Sequence, residues 1–148
     1  MLHFNVTSHP TSAWVVQQLR ETFPYESPPK YLLFDRDAKF GPEIVAAVRA
    51  MGSKPTRTSF RSPWQNGVAE RWVESCRRDL LDHVIAFNER HLRRLLAEYA
   101  CYYHEDRTHL GLQKETPLRR VARSRGDSER VISRSRLGGL HHRYDLVA

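Results

Sequence analysis

The chain has 148 residues, the length of one ordinary domain, and a formal net charge of +7. No apolar run approaches the roughly 20 residues that a membrane-spanning helix needs. The first five residues also lack the charged and apolar regions of a secretion signal, so we expect a cytoplasmic protein without a membrane partner. Cys76 and Cys101 are too few for a disulfide framework and lack zinc-site spacing, so we expect two buried, reduced thiols.

The basic residues are mostly arginine, and their excess lies late in the chain. Residues 1–118 hold 16 basic and 14 acidic side chains, whereas residues 119–148 hold 8 arginines and 3 acids. Arginine excess makes a polyanion a plausible partner, since the guanidinium fork matches phosphate. We expect residues 119–148 to form a loose, basic tail, with at most one short strand near Val131 and Ile132 or near Tyr144.

The first half of the chain alternates strand and helix signals. Alternating apolar residues at Leu2, Phe4 and Val6 predict a short strand. A helix capped by Thr11 or Ser12 follows, and the apolar run at residues 31–34 predicts a buried strand that leads directly into Asp35. A helix from Pro42 closed by Gly52 and an edge strand at residues 54–59 complete an α/β order.

The second half is predicted to be mainly helical. A loop at residues 62–67 precedes a long helix that reaches about His83, and Asn88 caps another helix. On the long helix, Glu70, Glu74 and Arg77 share one face at the spacing i, i+4 and i+7. A separate apolar stripe comprises Val68, Ala69, Trp72, Val73, Cys76 and Leu80.

Two carboxylates stand where chemistry is commonly built, and each also has a structural interpretation. Asp35 follows a buried strand, at the edge where open α/β sheets form sites, but an aspartate there also caps a turn, as Asp37 could. Glu70 opens a helix, where an acid interacts favourably with the helix dipole whether or not it is catalytic.

Motifs around both acids resemble the retroviral-integrase-like catalytic core of insertion-sequence transposases. Residues 62–71 follow that family's S-P-x-x-N-G-x-x-E-R pattern, and residues 35–40 follow D-x-x-x-x-F after an apolar strand. The 34 residues between Asp35 and Glu70 are close to the family's spacing, and residues 88–109 with Thr116-Pro117 resemble its downstream segment. The likeness covers about residues 1–118; Arg36 and Asp37 depart from the family's common Asn and Gly.

The resemblance implies an α/β, ribonuclease H-like integrase core that transfers phosphoryl groups on DNA. Three acids of the family hold two divalent cations, Mg²⁺ or Mn²⁺, and carboxylate oxygens suit such hard ions. By this likeness Asp35 is the second acid and Glu70 the third, each both catalytic and metal-binding. The resemblance also implies DNA contacts from Trp64, Gln65, Asn66, Arg71, Glu74 and Arg77.

The family's first catalytic aspartate has no counterpart here. No Asp or Glu precedes Glu21, and the chain begins at what resembles the family's third strand. We therefore expect an N-terminally truncated core over residues 1–118, lacking the first two strands, with a helical C-terminal half and the basic tail at residues 119–148. We expect this chain to be inactive in transposition, although its family function is DNA integration.

Three functions remain open at this point. The first is a transposase core whose partner is DNA, at transposon ends and target. The second is a non-catalytic remnant that binds DNA, forms homo-oligomers or pairs with full-length transposase. The third, an unrelated basic regulator, is disfavoured because the sequence has no helix-turn-helix or zinc signature.

Overall fold

The computed structural model describes residues 3–24, 28–120 and 124–147. The chain divides into two compact units, Met1–Glu74 and Ser75–Ala148, referred to below as unit 1 and unit 2. The division falls within one helix, whereas the sequence placed a boundary after residue 118. Mixed helices and small sheets agree with the expected α/β class.

Unit 1 contains α1 (Ser12–Thr22), β1 (Tyr31–Phe34), α2 (Pro42–Ala50), β2 (Lys54–Arg57) and the first part of α3 (Gly67–Asp79). Thr11 is the cap of α1, because its hydroxyl accepts a hydrogen bond from the Trp14 amide at 3.2 Å. Residues 3–7 are not a strand, contrary to prediction, and Leu2 lies outside the described residues. The side chains of His3 and Asn5 instead bond Gln18 on α1, at 3.0 and 2.7 Å.

The strands of unit 1 pair in parallel, with Tyr31 opposite Lys54 and Phe34 opposite Arg57. The fully buried core residues are Phe34, Ile44 and Val48, against which partly buried residues pack: Val15, Val16, Leu19, Leu32 and Phe40. The opposite sheet face carries Tyr31 and Leu33, which are 54% and 41% exposed. The strand prediction is therefore confirmed in position but wrong in burial, because α1 and α2 contribute core residues to one face only.

Unit 2 contains the end of α3, then α4 (Glu89–Glu105) and an antiparallel hairpin of β3 (Arg130–Arg136) and β4 (His141–Val147). The Asn88 side chain caps α4 as predicted, accepting from the His91 amide at 2.8 Å. Gly138 and Gly139 supply the positive φ angles, 66° and 98°, that the hairpin turn requires. The expectation of a loose tail is wrong, since two seven-residue strands are paired here. Both places considered for a short strand, Val131 with Ile132 and Tyr144, lie in these strands.

Ion pairs to residues outside the hairpin explain its order. The Asp106 carboxylate, just after α4, accepts hydrogen bonds from Arg136 Nε at 2.6 Å and Arg143 Nη1 at 3.1 Å. The rings of Tyr102 and His141 stack with centroids 4.6 Å apart. The arginines that made residues 119–148 look like a solvated tail therefore hold the hairpin against α4.

Two further expectations about burial are only partly met. Cys76 is buried as predicted, but Cys101 is exposed, because it lies on the side of α4 away from buried Tyr99. The apolar stripe of α3 is buried at Cys76 but exposed at Val68 and Val73. In the described part of the chain, no helix is both long and apolar enough to cross a membrane.

Candidate functional site

Asp35 lies exposed at the end of β1, where the sequence placed it. Its Oδ1 accepts a hydrogen bond from the Asp37 amide at 3.0 Å, and Asp37 Oδ1 accepts one from the Lys39 amide at 2.9 Å. Asp35 therefore has the turn-capping contact offered above as the structural interpretation. That contact uses one of about four acceptor positions of a carboxylate and leaves the others for a cation.

Arg36 and Asp37, which depart from the family pattern, both make contacts within the protein. The backbone amide of Lys39 donates a hydrogen bond to the Asp37 carboxylate, and this is the main reason why the pKa of Asp37 is lowered. The Lys39 ammonium, 2.9 Å from Asp37 Oδ2, lowers it further. Arg36 Nε donates to the Thr58 carbonyl at 3.0 Å, which connects the ends of β1 and β2. Both side chains therefore help to fix the segment next to Asp35.

A series of hydrogen bonds leads from the Asp35 segment to the helix that carries Glu70. The Thr58 amide donates to the Phe34 carbonyl at 3.0 Å, directly before Asp35. The next amide, of Ser59, donates to Gln65 Oε1 at 2.7 Å, and Gln65 belongs to the 3₁₀ turn at Pro63–Asn66. The α3 helix begins at Gly67 immediately afterwards, with Glu70 exposed in its first turn. The sequence did not reveal this positioning role of Gln65.

The other predicted DNA contacts differ in accessibility. Trp64 is 73% exposed, so it is not a core residue, and Asn66 is half-buried. Arg71 and Glu74 are exposed on α3, and Arg77 pairs with Asp82 at 3.2 Å. Trp64 and Arg71 are thus exposed, whereas Gln65 and Arg77 already have protein partners.

The residues expected to hold Mg²⁺ fit that ion in chemical type but not in number. Asp35 and Glu70 supply hard carboxylate oxygens. Across the described ranges, no group of three or more His, Cys, Asp or Glu side chains is arranged to hold a metal ion. The family's set of three acids is thus not found among the described residues, and Asp35 and Glu70 are the two expected here.

A half-buried polar cluster in unit 2 was missed by the sequence reasoning. Asp79 Oδ2 accepts hydrogen bonds from Arg107 Nε at 2.8 Å and from the Tyr99 hydroxyl at 3.1 Å. Burial, and then the charge of Asp79, raises the pKa of Tyr99. The cluster joins the end of α3 to the segment after α4. A helix-ending Asp and a distant Arg carry no local signal of such pairing.

Comparison with known protein families gives one match. The integrase core domain family matches residues 51–117, and neither curated proteins nor solved structures gave a match. The matched range contains Glu70 and the loop at residues 62–67, whereas Asp35 lies outside it. Residues 51–117 are therefore similar to the integrase core domain family, and this similarity supports a transposase- or integrase-type role in DNA integration and recombination.

Proposed function

We propose that this chain is a ribonuclease H-like transposase core that binds DNA through unit 1 and is inactive in strand transfer by itself. The observation that carries the proposal is the integrase core match, which contains Glu70 at the start of α3. Asp35 supports it, because a short series of hydrogen bonds leads from its turn to that helix.

Asp35 and Glu70 are the residues that would hold divalent cations. Mg²⁺ or Mn²⁺ would supply activation of the attacking oxygen and charge stabilisation of the leaving oxygen. The chain's own contribution is to present two carboxylates on exposed surfaces and to fix the Asp35 turn through Asp37 and Lys39. Exposed Trp64 and Arg71 flank Glu70 in sequence and would contact the DNA backbone.

The number of acids is the reason for expecting inactivity. The resemblance implies three acids for two cations, and this chain has counterparts of two of them, Asp35 and Glu70, which would hold divalent cations less firmly than three. The two-acid set of Asp35 and Glu70 also fits a second candidate function, a non-catalytic remnant that binds DNA or pairs with itself or with full-length transposase.

A cleavage assay separates the two functions. The full chain is incubated with supercoiled plasmid and labelled duplex DNA, in Mg²⁺ or Mn²⁺, beside Asp35→Asn and the matched variant Asp127→Asn. Asp127 is exposed in a turn of unit 2. We expect no nicking or strand transfer from any of the three proteins. Turnover that is lost in Asp35→Asn and kept in Asp127→Asn would show an active core and refute the inactivity.

DNA binding is measured separately by fluorescence anisotropy. Contacts made mainly to phosphate predict that affinity falls steeply between about 50 and 200 mM salt. Arg71→Gln should weaken binding, whereas Arg49→Gln, which removes an exposed charge from the last turn of α2, should change it little. No binding at low salt, or an affinity independent of salt, would contradict the proposed function.

A further inference from the structure

Unit 2 contains a pair of adjoining cavities beside the docked hairpin. The smaller has a volume of about 470 Å³ and the larger about 1050 Å³. Five residues line both of them: Asp106, Thr108, Arg120, Arg143 and Tyr144. All five belong to the segment that follows α4 or to β4, and together they line a concave polar surface.

The charges around these cavities do not balance. Asp145 accepts hydrogen bonds from Arg120 Nη2 at 2.8 Å and Arg143 Nε at 2.9 Å, and it pairs with Arg134 Nε at 3.2 Å. Asp106 pairs with Arg143 and with Arg136. Four arginines therefore share these two carboxylates, although Arg134 and Arg136 line neither cavity. Over all residues that line the two cavities, five basic and four acidic side chains leave a formal surplus of one positive charge.

The carboxylates lie behind the guanidinium groups. The Asp106 and Asp145 side chains are 2% and 19% exposed, whereas those of Arg120 and Arg143 are 35% and 29% exposed. The buried Asp106 and the partly exposed Asp145 thus orient the two arginines, whose side chains are more exposed than either carboxylate. Arginines fixed from behind lose little side-chain freedom when they bind an anion.

The two arginines also retain donors for a ligand. A guanidinium has five N–H groups. Among the described residues, the hydrogen bonds use Nη2 of Arg120, and Nε and Nη1 of Arg143. Nε and Nη1 of Arg120 and Nη2 of Arg143 are therefore available on side chains that line both cavities.

We propose that these cavities bind a phosphate group through Arg120 and Arg143. A tetrahedral oxyanion matches paired guanidinium donors in geometry, and its negative charge offsets the local surplus. The phosphate group has two sources, free phosphate or the DNA backbone. The binding chemistry is the same for both sources. Only binding to the DNA backbone rests on the proposed function.

Inorganic phosphate is the first probe. Thermal unfolding and calorimetric titration of the full chain are compared in sodium phosphate and in sodium chloride of equal ionic strength. We expect phosphate to raise the unfolding temperature beyond the chloride effect. Arg120→Gln should reduce the phosphate affinity at least about fivefold, because it removes a charged bidentate donor. Arg130→Gln removes the same charge from an exposed side chain that lines neither cavity, and it should bind as the wild type does.

Arg120→Lys is a second variant in case the glutamine variant does not fold. It keeps the positive charge but loses the planar fork, so it should also bind phosphate more weakly than the wild type. Absence of a phosphate effect beyond that of chloride would overturn the proposal. Equal losses in Arg120→Gln and Arg130→Gln would overturn it as well, because they would indicate diffuse charge instead of a site.

Duplex DNA is the second probe and identifies the source of the phosphate. If DNA occupies the cavities, Arg120→Gln weakens DNA binding several-fold, and phosphate competes with DNA more strongly than chloride of equal ionic strength. If neither Arg120→Gln nor added phosphate changes DNA binding, the cavities bind free phosphate and the proposed function is unaffected. Phosphate binding without any DNA binding supports the phosphate site and refutes the proposed function.

Discussion

Replacement of Asp106 by asparagine tests whether buried ion pairs hold the hairpin in place. The Asp106 side chain is 2% exposed and accepts from Arg136 at 2.6 Å and from Arg143 at 3.1 Å. Asp106→Asn keeps the shape and one acceptor oxygen but removes the charge and turns an amide N–H toward a guanidinium. Two half-buried arginines then lose their shared partner.

The expected cost is about 3 kcal/mol. Breaking a buried ion pair from one side costs roughly 3–5 kcal/mol, because it leaves an uncompensated charge. The low end applies here, since Arg143 keeps Asp145 at 2.9 Å and both arginines are partly solvated. A change of 3 kcal/mol corresponds to roughly a hundredfold increase in the opening equilibrium of the hairpin.

Amide hydrogen exchange of β3 and β4 measures that equilibrium directly. Asp127→Asn, an exposed matched control, should leave hairpin exchange as in the wild type. Hairpin protection in Asp106→Asn within about threefold of this control would refute the ion-pair explanation of the hairpin.

Three further predictions concern local contacts. Gln65→Ala removes the acceptor of the Ser59 amide and should speed amide exchange in the preceding loop about tenfold. Gln65→Glu keeps an acceptor and should not speed it. Equal exchange rates in the two variants would contradict the positioning role of Gln65. Of the two thiols, exposed Cys101 should react rapidly with a maleimide at pH 8, while burial raises the pKa of Cys76 to about 11 and slows its reaction. A fast phase that survives Cys101→Ser would disprove this assignment. The hydrogen bond from Arg143 lowers the pKa of Asp145 from 3.8, so its stabilisation of the hairpin is present above that value and is lost as the pH falls through the lowered pKa. Hairpin exchange should therefore accelerate in acid in the wild type and respond less in Asp145→Asn; identical profiles would count against it.

Much of the candidate site was predictable because its signals are local. The caps at Thr11 and Asn88, the strand before Asp35 and the helix that starts before Glu70 each depend on residues within a few positions. The motif at residues 62–71 reports a family relationship, which the match at residues 51–117 confirms. These features depend on short-range hydrogen bonds and on the spacing of apolar residues, and both can be inferred from the amino-acid sequence.

Pairing between distant residues was not predictable. Arg136 and Arg143 lie 30 and 37 positions from Asp106, and nothing in their own segment indicates that partner. Gln65 looked like a DNA contact because its loop is polar, yet its side chain holds the Ser59 amide. Cys101 and Tyr31 were assigned burial from residue type, but the exposed side of a helix or a sheet depends on what packs against it.

The sequence by itself determined the positions of the main helices and of β1, the location of Asp35 and Glu70 at the ends of elements, and the integrase core relationship. Only the tertiary structure decided which charges are available to a partner. A count of arginines cannot distinguish a guanidinium held by a buried carboxylate from one exposed to solvent, because pairing depends on three-dimensional proximity. In unit 2, Asp106 and Asp145 pair with several of the arginines that produce the positive net charge, and two of these, Arg120 and Arg143, also line the cavities.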